Sequence, residues 1–146
     1  MDFAEDSAEF IGTPLTPNAT KVLLLGSGEL GKALAIAFQN LGLEVHAVDR
    51  YAGAPAQQIA HFSYIADIHD EAKVLELTER IQPDFVIPEV EMVAVGALAK
   101  LEESGEVTVV PTARACELTQ DRESVREVAA EIGLPVSAYR FASSPE

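Results

Sequence analysis

Apolar and polar positions along this chain follow two periods, and the period switches repeatedly from one to the other. The aliphatic run Val22-Leu23-Leu24-Leu25 predicts a buried strand over Lys21 to Leu25. Gly26-Ser27-Gly28 predicts a tight turn. Leu30, Leu34, Phe38 and Leu41 then recur at helical spacing, one apolar stripe with Ala33 and Ala37 beside it for close packing. Gly42 ends that helix. Glu44 to Val48 predicts a second strand, Asp49 to Pro55 a loop, and Ser63 to Ala66 a short third strand. Asp70 can cap a helix that carries Val74, Leu77 and Ile81 on one face. Phe85 to Pro88 reads as a fourth strand, Met92 to Glu103 as a helix, and Val107 to Val110 as a fifth strand closed by Pro111. A short helix over Ala113 to Leu118 follows. The last helix places Val125, Val128, Ala129 and Ile132 on one face and stops at Gly133 and Pro135.

Strand and helix alternate throughout. That order predicts βαβ units, a parallel sheet and helices on both faces. With right-handed crossovers the fold class is α/β, a Rossmann-like doubly wound parallel sheet. Residues 1–12 show no periodicity and are expected to form a flexible extension. The Rossmann-like domain is expected to fill residues 13–142, with Thr13 to Asn18 a proline-punctuated lead-in, and residues 143–146 read as the start of a polar linker.

Composition narrows the class. The chain has 146 residues, 48% of them hydrophobic, which suits one globular domain. No apolar run approaches the roughly 18 residues of a membrane span, and the N-terminus is acidic where a signal peptide would be basic. A cytoplasmic protein with no membrane partner is expected. The net charge of −14 disfavours nucleic acid as a partner. The single cysteine, Cys116, excludes an internal disulfide and reads as a small buried residue. Asn18-Ala19-Thr20 fits a glycosylation acceptor, a chance match where no secretion signal precedes it. His46, His61 and His69 lack metal-ligand spacing and read as structural or exposed. No metal site and no catalytic residue is assigned to the chain.

The candidate chemistry centres on Gly26-Ser27-Gly28-Glu29-Leu30-Gly31, a G-x-G-x-x-G pattern between a strand and a helix. Asp49 lies at the end of the second strand, where a dinucleotide-binding fold places an acid on a ribose. The helix N-terminus offers free N–H groups and partial positive charge. Glu29 argues against a pyrophosphate and suits an ammonium, an amide N–H or a sugar hydroxyl. The glycines could also serve strand–helix packing alone, with Glu29 a solvated acid.

Five stretches carry a resemblance. They are Gly12-Thr13-Pro14-Leu15; Val22 to Lys32; Val48-Asp49-Arg50-Tyr51-Ala52-Gly53-Ala54-Pro55-Ala56; Val86-Ile87-Pro88-Glu89-Val90-Glu91; and Val109-Val110-Pro111-Thr112-Ala113-Arg114-Ala115. Together they resemble the N-terminal, pre-ATP-grasp domain of the formate-dependent phosphoribosylglycinamide formyltransferases, over about residues 12 to 142. The Asp-x-x-x-x-Ala-Pro loop is shared with other ATP-grasp relatives. The resemblance implies purine biosynthesis: formate and MgATP give formyl phosphate, which the glycinamide amine attacks. It implies that Glu29, Leu30 and Glu89 bind glycinamide ribonucleotide and that Arg122 binds ATP. Both acids follow strand ends, where open α/β sheets bind ligands, and Arg122 can pair with phosphate. Glu89 could instead cap a helix, Arg122 could be a surface residue, and Glu91 is a possible second acid.

The chain departs from the family pattern by one extra residue around Glu102 to Val107 and by its first ten residues. It ends where the ATP-binding domain should begin. The ligands of ATP and Mg2+ are expected in that further domain, so this chain alone should lack turnover. The resemblance further implies glycinamide ribonucleotide, formate and ATP as partners, and a homodimer. Competing readings are another ATP-grasp ligase such as a carboxyaminoimidazole ribonucleotide synthetase, an isolated NAD-binding module, and a dimerisation domain.

Overall fold

Strand segments rich in Val, Leu and Ile pair into one parallel sheet in a computed structural model, which describes residues 12–142. All but the last residue of the expected 1–12 extension, and the expected 143–146 linker, lie outside the described residues. The elements are β1 (Lys21–Leu25), α1 (Glu29–Asn40), β2 (Glu44–Asp49), β3 (Phe62–Ile65), α2 (Glu71–Ile81), β4 (Phe85–Pro88), α3 (Val95–Ser104), β5 (Thr108–Val109), α4 (Ala113–Gln120) and α5 (Arg122–Glu131). The strand order is β3-β2-β1-β4-β5, and every neighbouring pair is parallel. The chain therefore moves outward from β1 in one direction, returns, and moves outward in the other. The reversal falls between β1 and β4, and it opens a crevice at their C-terminal ends.

Successive strand residues face opposite sides, so the sheet has two cores. Leu23, Leu25 and Val48 join Val74, Leu77, Leu98 and Cys116 under α2, α3 and α4. Leu24, Val45 and Ala47 join Ala35 and Ala56 under α1 and the loop after β2. Asp70 caps α2 as its sequence predicts, accepting from the Ala72 and Lys73 amides, and Val74, Leu77 and Ile81 are buried.

Three expectations are corrected. In α1, Gly31 and Ala35 form the buried line, Leu34 and Phe38 are half-buried, and Leu30 and Leu41 stand 61% and 74% exposed. Ala33 and Ala37 are exposed as well. The smallest side chains let the helix approach the sheet closely, so the large residues straddle that contact instead of making it. Helix α3 starts at Val95, not Met92, because the Ala94 amide donates to the Ile68 carbonyl and the Val93 carbonyl accepts from Gln120. In α5 no residue is buried, and Ile132 lies past its end at 68% exposure.

Candidate functional site

The glycine turn ends β1 in the crevice. Gly26 has φ +102°, a conformation that favours glycine. A Cβ there would stand 2.7 Å from Glu89 Oε2 and 2.8 Å from Val90 Cγ1, so the missing side chain also lets β4's loop close over the turn. A Cβ at Gly31 would meet the Gly26 carbonyl oxygen at 2.9 Å. At Gly28 a Cβ would meet nothing within 4 Å, and φ is an ordinary −70°. The fold needs the first and third glycines; the middle one faces open space.

Ser27 is fully buried and held three ways. Its amide donates to Asp49 Oδ2 at 2.9 Å, its hydroxyl donates to the Val48 carbonyl at 2.9 Å, and its carbonyl accepts from the Ala56 amide at 2.9 Å. Asp49 Oδ1 accepts from the Arg50 amide at 2.7 Å. Both Asp49 oxygens are thus engaged by the backbone of the turn and of the loop that follows β2. The sequence places Asp49 at the end of the second strand but does not reveal this clamp. Its signal is the Asp-x-x-x-x-Ala-Pro loop from Asp49 to Pro55, directly after which Ala56 reaches back to the turn.

Glu89 follows β4, and its amide extends the β1–β4 ladder to the Leu25 carbonyl at 2.8 Å. Its Oε2 is buried without a hydrogen-bond partner among the described residues. Burial pushes the Glu89 carboxyl up from its ordinary range, the Asp49 charge adds to this, and the Gly31 backbone amide acts the other way. Glu29 opens α1 with its side chain exposed, beside the exposed Leu30. These three residues therefore sit at the C-terminal ends of two adjacent strands. Arg122 is the first residue of α5 and pairs with Glu91 at 3.1 Å, both side chains exposed. The pair ties α5 to the loop that carries Glu89, and among the described residues Arg122 forms no hydrogen bond or ion pair with Glu89 or Glu29 themselves.

Other polar groups have structural partners. His46 bonds Glu44 and Tyr64, His61 Nδ1 accepts from the Val45 amide, and His69 pairs with Asp67. Burial pushes the Cys116 thiol up. A cleft of about 530 Å³, lined by Thr78, Gln82, Asp84, Lys100, Glu106 and Val107, lies at the opposite end of the sheet, near the starts of β4 and β5. Among the described residues no three His, Cys, Asp or Glu side chains converge to hold a metal ion, and no helix is long and apolar enough to cross a membrane.

The chain is 66% identical over 139 residues to the formate-dependent phosphoribosylglycinamide formyltransferase of Corynebacterium glutamicum (strain R), covering 94% of this chain and 34% of that protein. It is 52% identical over 137 residues to the enzyme of the same name from Acinetobacter baumannii, covering 93% and 34%. It thus spans about a third of the length of these curated relatives. Among solved structures, the glycinamide-RNase-transformylase T of Mycobacterium tuberculosis superposes with a TM-score of 0.77 at 43% identity, over 85% of this chain and 36% of that one. The N5-carboxyaminoimidazole ribonucleotide synthetase of Thermotoga maritima superposes with a TM-score of 0.75 at 26% identity, over 86% and 34%. The strand reversal, the glycine turn and the loop that clamps it all fall within residues 19–120, and over that stretch the chain belongs to the ribonucleotide synthetase preATP-grasp domain family.

Proposed function

We propose that this chain is the glycinamide ribonucleotide-binding unit of a formate-dependent phosphoribosylglycinamide formyltransferase. The observation that carries the reading is the Oε2 of Glu89, buried and without a hydrogen-bond partner among the described residues, at the C-terminal ends of β1 and β4. A buried acceptor without a partner is costly, and a ligand N–H or O–H donor would relieve that cost. Glu89 would take the substrate amine or a ribose hydroxyl. Glu29 would take a second donor, and the first turn of α1 at Leu30 would supply backbone N–H groups. Open space at Gly28 supports a ligand's approach to the backbone there. Arg122 would turn from Glu91 to a phosphate of ATP. The identity of 66% to a formyltransferase, against 26% to a carboxyaminoimidazole ribonucleotide synthetase, favours the first over the second.

The described residues do not make a magnesium site, and a single rim arginine does not make an ATP site. The reading therefore gives this unit the ribonucleotide and gives formate, ATP and Mg2+ to the whole enzyme, a cytoplasmic homodimer. The chain by itself would bind without turning over.

Each acid would form a charge-assisted hydrogen bond, so losing one should cost roughly 1.5–3 kcal/mol, about ten- to a hundredfold in affinity. In the full-length enzyme, Glu29→Gln and Glu89→Gln should raise the KM for glycinamide ribonucleotide by that factor and leave the KM for ATP near its original value. Arg122→Ala should do the reverse. If both glutamine variants keep the original ribonucleotide KM and turnover, the site assignment is wrong.

A further inference from the structure

We propose that Asp49 is a positioning residue, which locks the glycine turn against Glu89 and so fixes the shape of the ribonucleotide site. The inference rests on the reading of Glu89 given above. The path from one acid to the other is continuous. Asp49 Oδ2 holds the Ser27 amide, and the preceding residue, Gly26, lies so close beneath Glu89 that even a methyl group would collide with Oε2. A turn free to tilt would open or close the space that Glu89 projects into. The Val48 and Ala56 bonds constrain Ser27 at its hydroxyl and carbonyl, but only Asp49 constrains its N–H.

Asp49 has a second effect on the same group. Its charge opposes ionisation of Glu89 through the low-dielectric space between them, while the Gly31 amide favours it. An acid at this place in the fold is ordinarily free to meet a ribose. Here it holds the backbone of the glycine turn, and Glu89, the acid after β4, is the one that projects towards the site.

The test uses the 146-residue chain labelled for NMR. In Asp49→Ala the Ser27 amide should exchange with solvent about tenfold faster, the loss expected for one hydrogen bond to a charged acceptor. In Asp49→Asn, which keeps the shape and removes the charge, the Glu89 carboxyl should titrate at lower pH than in the original chain. The original chain alone gives a further readout that survives misfolding of either variant: a coupling through the hydrogen bond should link the Ser27 amide nitrogen to the Asp49 carboxyl carbon. A Ser27 amide without that coupling, or a Glu89 midpoint unmoved in Asp49→Asn, would overturn the proposal. Calorimetry with glycinamide ribonucleotide separates the two readings. If Asp49→Asn and Glu89→Gln both weaken binding, both stand. If the NMR changes appear while Glu89→Gln binds as well as the original, the clamp stands and the substrate assignment falls.

Discussion

Glu44 and His46 show how single side chains set this domain's response to acid. They are 4% and 5% exposed and bonded to each other at 2.8 Å. Glu44 also accepts from the Leu15 amide at 2.6 Å, which pins the segment before β1 to the sheet. His46 Nδ1 meets the Tyr64 hydroxyl at 2.9 Å. An ionised Glu44 and a neutral His46 with its proton on Nε2 satisfy every group in this chain. Burial would raise the Glu44 carboxyl, but hydrogen bonds from His46 and Leu15 outweigh it and bring it below its ordinary 4.5. Burial lowers the His46 imidazole below its ordinary 6.5, against the pull of Glu44. For both groups the unfolded chain takes up the proton first. Stability should therefore be full above 6.5, fall as the pH drops below that value through His46, and fall again below 4.5 through Glu44. Urea midpoints followed against pH should show the first loss in the original chain and a shallower one in His46→Gln. Equal slopes would mean that His46 does not couple to folding. The sequence left His46 structural or exposed for want of metal spacing, and it could not pair it with Glu44 and Tyr64, because those contacts depend on strand register.

Helices that look alike in sequence differ in what they contribute. Asp70 and Asp121 each cap a helix through two backbone amides. Helix α2 buries Val74, Leu77, Thr78 and Ile81, whereas α5 buries none of its residues. Asp70→Ala should lower global stability by about 1 kcal/mol. Asp121→Ala should leave the urea midpoint unchanged and speed amide exchange only within α5, since that helix opens without the core. A matching global loss in both variants would show α5 to be part of the cooperative unit. Periodicity made α2 legible because its apolar stripe is its buried face. It misjudged α1 and α5 for opposite reasons: the α1 contact is made by Gly31 and Ala35, too small to mark a stripe, and the α5 stripe has little to pack against among the described residues. Strand β5 keeps only Thr108 and Val109 of a four-residue β-branched run, since pairing with Phe85 and Val86 sets its length. Strand ends put Glu29 and Glu89 past the C-terminal ends of β1 and β4, while the clamp on Ser27 needed the loop's three-dimensional course.

At the scale of the whole molecule, the two cores are completed at different points along the chain. The face under α1 is built from Leu24, Ala35, Val45, Ala47 and Ala56, with Ile87 of β4 packed at its margin. The face that carries Leu23, Leu25 and Val48 is covered by α2, α3 and α4, all later in the chain. A piece that stops after Ala66 thus holds three strands with one side dressed and the other bare. It should bind a dye such as ANS and unfold without a sharp transition, whereas the 146-residue chain should leave the dye dark. A dye-silent, cooperatively unfolding piece would show that the first three strands are self-sufficient. As the chain emerges from a ribosome, Leu23, Leu25 and Val48 form a sticky surface until α3 arrives, and for that interval the nascent protein presents a natural client site for chaperones that grip aliphatic patches.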